Sequence, residues 1–192
     1  MNEVNWQDAL KDAVALYLAQ ECNLPAEHGR DTPRRVVAAF AEYASGYLED
    51  PAKHLSKSFE DTVGYKGMVH VQRIPLLSMC AHHILPIIGV ADFAYIPEGR
   101  VVGLSKIPRF IDILSRRLQI QENLTVQIVD TFMDTVKPKG CAVSIRAFHF
   151  CMVARGVRIR DAMTETRELR GCFTQEATRL EFMSRLSQEA IL

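Results

Sequence analysis

An α+β fold built on an antiparallel sheet is what this sequence predicts, and three observations carry that reading. Apolar residues recur at helical spacing in 4–21 and again after Pro33, and further helices are expected over roughly 106–118 and 122–136. Residues 141–150 instead alternate, with Val143, Ile145, Ala147 and His149 on one parity and Ser144, Arg146, Phe148 and Phe150 on the other. The order along the chain is two helices, strands, two helices, strands and a helix. That is not the strict alternation of a doubly wound parallel sheet.

Each element has a local reason. Leu10, Val14 and Leu18 form the stripe of a first helix over 4–21, which Asn23-Leu24-Pro25 ends. Thr32 is a good N-cap and Pro33 suits the first helical position, where its missing N–H costs nothing. The second helix then carries Val36, Val37, Phe40 and Tyr43 or Ala44 as its stripe, with Gly46 near its end. Residues 48–66 are polar and irregular and read as a connection. The chain therefore divides into an N-terminal helical region, 1–66, and a main domain, 67–192.

Strands follow at 69–74, leading into 76–80. The runs 89–96 and 100–104 flank Pro97-Glu98-Gly99, a hairpin signal. Ser105 caps the helix over 106–118, and Pro108 is tolerated in its first turn. Pro138-Lys139-Gly140 turns the chain from the helix over 122–136 into a strand over 141–153. Strand character returns near 154–160 and 168–173. Thr174 caps a last helix containing Leu180, Met183 and Leu186.

Composition narrows the class of protein. A chain of 192 residues, 48% apolar and 24% charged, can bury a full core as one domain with a small helical appendage. The formal net charge is zero, so bulk charge offers no argument for nucleic acid or a membrane surface. No apolar run is long enough to span a bilayer. The first residues have neither a basic region nor an apolar core, so no secretory signal is expected. Five scattered cysteines, an odd number, argue against a disulfide framework and for a reducing, cytoplasmic setting. There, Cys beside His points to metal or catalysis.

Two stretches meet that description. Cys80-Ala81-His82-His83 offers a thiolate and two imidazoles within one turn, and His149-Phe150-Cys151 an imidazole and a thiolate two residues apart. On a continuous strand His149 and Cys151 would share a face. Together they make a candidate zinc site, with Cys22, Cys141 and Cys172 read as small apolar residues. Four ligands would close it structurally, while three plus water would leave it catalytic. The imidazoles exceed what three ligands require, which suggests proton transfer beside the metal. Spacing does not decide which His is the ligand. Ser105, Lys106 and Arg109 sit in a helix's first turn, where N–H groups and dipole favour phosphate, or else form a solvated basic face. The same two readings cover Arg34, Arg35, Arg155, Arg158 and Arg160. Gln121-Glu122 opens a helix, and Glu122 either complements the dipole or, as a buried carboxylate, accepts two N–H groups from a guanine edge.

With these residues in view, the chain closely resembles the GTP cyclohydrolase I family. The resemblance rests on Cys80-Ala81-His82-His83, Tyr95-Ile96-Pro97 and Gly103-Leu104-Ser105-Lys106-Ile107. It continues through the ten residues 116–125 (RRLQIQENLT) and His149-Phe150-Cys151-Met152-Val153-Ala154-Arg155-Gly156, with Asp31-Thr32-Pro33-Arg34-Arg35-Val36 like that family's helix start. It runs in order from about residue 8 to the last helix.

The resemblance implies a tunnelling-type fold, with an antiparallel sheet, helices on one face and an N-terminal helical extension. It also implies a toroidal homodecamer with sites between subunits. The implied activity is zinc-dependent hydrolysis of GTP to 7,8-dihydroneopterin triphosphate and formate. Cys80, His83 and Cys151 would then bind zinc, while His82 and His149 would be the imidazoles around base and ribose. Gln121 and Glu122 would read guanine and Ser105 would sit by the ribose or phosphates. Lys106, Arg109, Arg155 and, from a neighbouring subunit, Arg35 would hold the triphosphate. One position departs from the pattern: the family usually has Glu where this chain has Ala81. A paralogue that keeps the scaffold as a nucleotide- or pterin-binding protein is the alternative this raises.

Overall fold

The computed structural model describes residues 5–22, 24–56, 58–59 and 64–186. Val4 and Asn23, the expected first residue and terminator of the N-terminal helix, lie outside them. The chain divides into two compact units, Met1–Ala44 and Ser45–Leu192.

In the first unit, α1 (Trp6–Glu21) starts at Asn5, whose side chain accepts a hydrogen bond from the Gln7 N–H at 3.1 Å. A short α2 (Ala26–Gly29) precedes α3 (Thr32–Tyr43), which packs on α1. The N-cap of α3 is Asp31, one residue before the expected Thr32. Pro33 is buried in the first turn, where a missing donor leaves no intrahelical bond unmade.

The second unit opens where an irregular connection was expected, and it has structure there. A 3-10 turn (Ser45–Leu48), α4 (Ala52–Leu55) and β1 (Ser58–Phe59) are described between 45 and 59. Leu55 is an apolar anchor in this polar stretch and is buried in the main core. Next come β2 (Val69–Cys80), β3 (Pro86–Ile96), β4 (Val101–Val102), α5 (Lys106–Ser115), β5 (Leu118–Gln119) and α6 (Gln121–Val136). After these lie β6 (Gly140–His149), α7 (Phe150–Val153), β7 (Met163–Gly171), a 3-10 turn (Cys172–Thr174) and α8 (Glu176–Ser184).

The sheet runs β5-β2-β3-β6-β7, antiparallel except for the short parallel pair of β2 with β5. Strand parity sets what each face buries. Phe93, Tyr95, Val143 and Ile145 point to one face, where Ile107, Phe110, Ile111 and Leu114 of α5 and Leu124, Ile128 and Phe132 of α6 close the core. The Phe132 ring lies 4.7 Å from Phe93 and 5.1 Å from Tyr95, centroid to centroid. Phe132→Ala would leave a cavity between helix and sheet. It is expected to cost about 3–5 kcal/mol, read as an earlier midpoint in denaturant. The opposite parity, Ala94 and Ala142, is covered by Phe173 and by Phe182 of α8.

Several local expectations are corrected. The 89–104 hairpin does not form, because β3 already pairs with β2 on one edge and β6 on the other. Instead β4 pairs with β1, and the Val102 N–H donates to the Tyr95 hydroxyl at 2.9 Å. The strand expected to reach 153 ends at His149, and residues 154–160 are loop rather than strand. Ser105 stands at the N-cap of α5 as expected, without a side-chain capping bond, whereas Thr174 lies in the 3-10 turn and Gln175 takes the N-cap position of α8, also without a side-chain bond.

β2 carries a bulge between Val71 and Ile74, with Arg73 at φ 54°. The Arg73 N–H donates to Asp92 Oδ1 at 2.9 Å. Asp92 is fully buried, and its Oδ2 faces Arg146 Nη2 at 3.5 Å. A charge buried so deeply in the sheet is tolerated because a guanidinium and a backbone donor meet it.

Candidate active site

Cys80 is the last residue of β2, and the chain reverses directly after it. The Ile84 N–H donates to the Cys80 carbonyl at 2.9 Å, the Cys80 N–H to the Leu85 carbonyl at 2.8 Å, and the Ala81 N–H to the Gln119 carbonyl at 3.0 Å. Closing this turn puts Ile84 at φ 50°, a region where a β-branched residue is strained. Strain of about 1–3 kcal/mol is maintained only where surrounding bonds over-determine the backbone, as they do here. The turn holds His82 Nδ1 3.9 Å and His83 Nδ1 3.8 Å from Cys80 Sγ.

From the other side comes Cys151, on α7 rather than on a strand. A strand would have sent His149 and Cys151 in one direction. The helical turn at Phe150 gives them separate partners. The ligand atoms of Cys80, His83 and Cys151 lie within 4.8 Å of one another. Ligands at zinc bond lengths in a tetrahedron stand roughly 3.3–3.8 Å apart, so the cluster needs little contraction to hold the ion. Its donor set, two thiolates and an imidazole, suits zinc and leaves a fourth position for water. His82 lies outside this group of three despite its closeness to Cys80. Burial pushes the Cys151 thiol up, and the neighbouring Cys80 thiol adds to the effect against the opposing pull of Arg155. Two thiols this close disfavour a second negative charge without a cation, so metal and deprotonation are coupled.

His149 belongs to an adjoining network that the residue pattern did not foretell. Its Nε2 lies 2.8 Å from Oε1 of Gln121. Gln121 is 1% exposed. Its Nε2 donates toward the Ile145 carbonyl (3.2 Å), the Thr164 carbonyl (3.2 Å) and Thr166 Oγ1 (3.1 Å). The Thr125 hydroxyl donates to the Gln121 carbonyl at 2.7 Å and lies 2.6 Å from Thr166 Oγ1. The side-chain amide is thus occupied inside the protein, whereas the next residue, Glu122, is exposed in the first turn of α6. Burial lowers the His149 imidazole from the usual histidine range, and the Glu122 carboxylate works in the opposite direction.

Ser105, Lys106 and Arg109 share the start of α5, with Ser105 and Arg109 exposed. Arg155 is exposed just past α7, close enough to Cys151 to act on it electrostatically. Among the described residues no ion pair claims Lys106, Arg109 or Arg155, and no hydrogen bond joins the α5 turn to the cysteine–histidine cluster. Arg35 lies in the other compact unit, exposed and 3.6 Å from Asp31. Of the remaining cysteines, Cys141 is fully buried with its thiol pushed up by burial, while Cys22 and Cys172 are half-buried. Among the described residues no helix is long and apolar enough to cross a membrane.

Comparison with known proteins identifies the family. The family model for GTP cyclohydrolase I matches residues 11–187. The chain is 48% identical over 147 residues to GTP cyclohydrolase 1 of Brucella canis and, equally, of Brucella suis, covering 77% of this chain and 69% of each relative. Among solved structures it is similar to an archaeosine synthase QueF-Like in the apo form, at TM-score 0.46 and 16% identity, covering 56% of this chain and 96% of that one. The chain belongs to the GTP cyclohydrolase I family. It is accordingly a hydrolase, and its antiparallel sheet with α5 and α6 on one face is the tunnelling-type arrangement that the resemblance implies.

Proposed function

We propose that this protein opens the imidazole ring of GTP by hydrolysis, with zinc as its metal, giving 7,8-dihydroneopterin triphosphate and formate. The observation that carries the reading is the convergence of Cys80, His83 and Cys151 within 4.8 Å, with His149 two residues away in the chain. Bound there, zinc supplies Lewis acidity and a water whose pKa falls towards about 7. The chain's own groups do the rest. Glu122 accepts from the N1–H and exocyclic amine of guanine. His149 gives a proton to N7, which makes C8 open to attack by one water that opens the ring to a formamide, and a second water cleaves the remaining C–N bond so that C8 departs as formate. His82 and Ser105 serve proton transfers during ribose opening and reclosure. Lys106, Arg109 and Arg155, with Arg35 from a neighbouring subunit, hold the triphosphate, a role supported by the lack of competing ion pairs at the first three among the described residues.

The sites then require several chains, as in a toroidal homodecamer in the cytoplasm. Residues 67–192 carry the catalytic domain and residues 1–66 a helical region. Incubation with GTP followed by oxidation is expected to yield a fluorescent pterin. Nucleotide binding with no pterin would instead support a binding protein that kept the scaffold.

Ala81 adds a prediction of its own. A carboxylate beside metal ligands orients them and tunes bound water, and losing one typically costs about ten- to a hundredfold. Ala81 is exposed, so a longer side chain fits there. Ala81→Glu is expected to raise turnover or shift its pH profile while KM for GTP stays similar. An unchanged rate and profile would make the position neutral.

A further inference from the structure

The hydrogen bonds around Gln121 have only one consistent set of directions, and they run into His149. Two of the partners near the amide nitrogen are backbone carbonyls, Ile145 O and Thr164 O, each at 3.2 Å. Carbonyls only accept, so the NH2 end must face them and Oε1 must face His149. The Thr125 hydroxyl donates to the Gln121 backbone carbonyl, so its oxygen accepts the Thr166 hydroxyl proton, and Thr166 Oγ1 shares the two amide hydrogens with the two carbonyls. The two carbonyls alone leave the amide no freedom to flip. Oε1 is an acceptor, and His149 Nε2 at 2.8 Å must therefore be a donor.

We infer that Gln121 is a positioning residue for His149: it holds the neutral ring as the Nε2–H tautomer, so that protons are exchanged with substrate through Nδ1. Among the described residues Nδ1 has no hydrogen-bond partner. The Nε2–H···Oε1 bond persists whether Nδ1 is protonated or bare, so the ring keeps one orientation through the proton transfer. An amide suits this task because it is neutral and does not accept the proton itself. The inference rests on the reading of His149 as the proton donor, and it moves Gln121 from reading guanine to orienting the acid, leaving the base edge to Glu122.

Two measurements judge it. Neutron diffraction from deuterium-exchanged wild-type crystals at a pH where the ring is neutral is expected to show deuterium on His149 Nε2 pointing at Gln121 Oε1. Deuterium on Nδ1 with a bare Nε2 overturns the inference. In kinetics, Gln121→Leu is expected to lower kcat for GTP about ten- to a hundredfold, with KM within about twofold and zinc content unchanged. A raised KM with unchanged kcat would mean that the side chain reads the base, and would overturn the positioning role. Thr166→Val removes one acceptor from the same amide without touching His149, and a smaller fall in kcat alone is expected. Wild-type protein that leaves GTP intact defeats the catalytic reading underneath. Wild-type turnover with an unaffected Gln121→Leu variant defeats the positioning role only.

Discussion

Replacing Cys151 with Ala is expected to remove bound zinc and GTP turnover together, whereas His149→Ala is expected to keep the metal and lose the turnover. The two residues stand two apart in the chain, yet their partners differ. Cys151 meets Cys80 and His83, and its loss would leave two of the three candidate ligands, too few to hold an ion well. His149 meets Gln121. On the proposed role its removal takes away a general acid, a contribution of about a hundred- to ten-thousandfold, and leaves Cys80, His83 and Cys151 in place. Metal analysis and pterin formation on both purified variants check this. Zinc lost from the His149 variant would make that imidazole a ligand and the site a closed one.

The second large effect concerns the base. Glu122→Ala is expected to abolish most GTP turnover, and the wild type is expected to discriminate against ATP. Glu122 is exposed in the free chain, so the discrimination requires bound substrate and a neighbouring chain to cover it; a covered carboxylate is then left unpaired by adenine, and sites of that kind reject the wrong partner by about 10⁴–10⁵ in kcat/KM. Parallel kcat/KM measurements with GTP and ATP test it, and comparable use of ATP would refute the role of Glu122.

Much of this was legible in the residues, because the strongest signals are local. Alternation in 141–149 marks β6, helical stripes mark α5 and α6, and Cys/His spacing marks the cluster. What stayed hidden depends on register between distant segments. Gln121 reads as one more polar residue at a helix start. Its role needs Ile145 on β6 and Thr164 and Thr166 on β7 to lie beneath it. The turn at 97–99 looks like a hairpin, but nothing local reveals that both edges of β3 are taken. Likewise, no propensity over 141–153 is strong enough to mark where β6 yields to α7, and that boundary gives Cys151 and His149 their separate partners.

The most direct test of ring opening follows one carbon. GTP labelled with ¹³C at C8, incubated with the zinc-loaded protein and watched by NMR, is expected to lose its purine C8 signal as formate appears in equal amount. A label that remains in the nucleotide, with GTP bound but unchanged, would contradict the account.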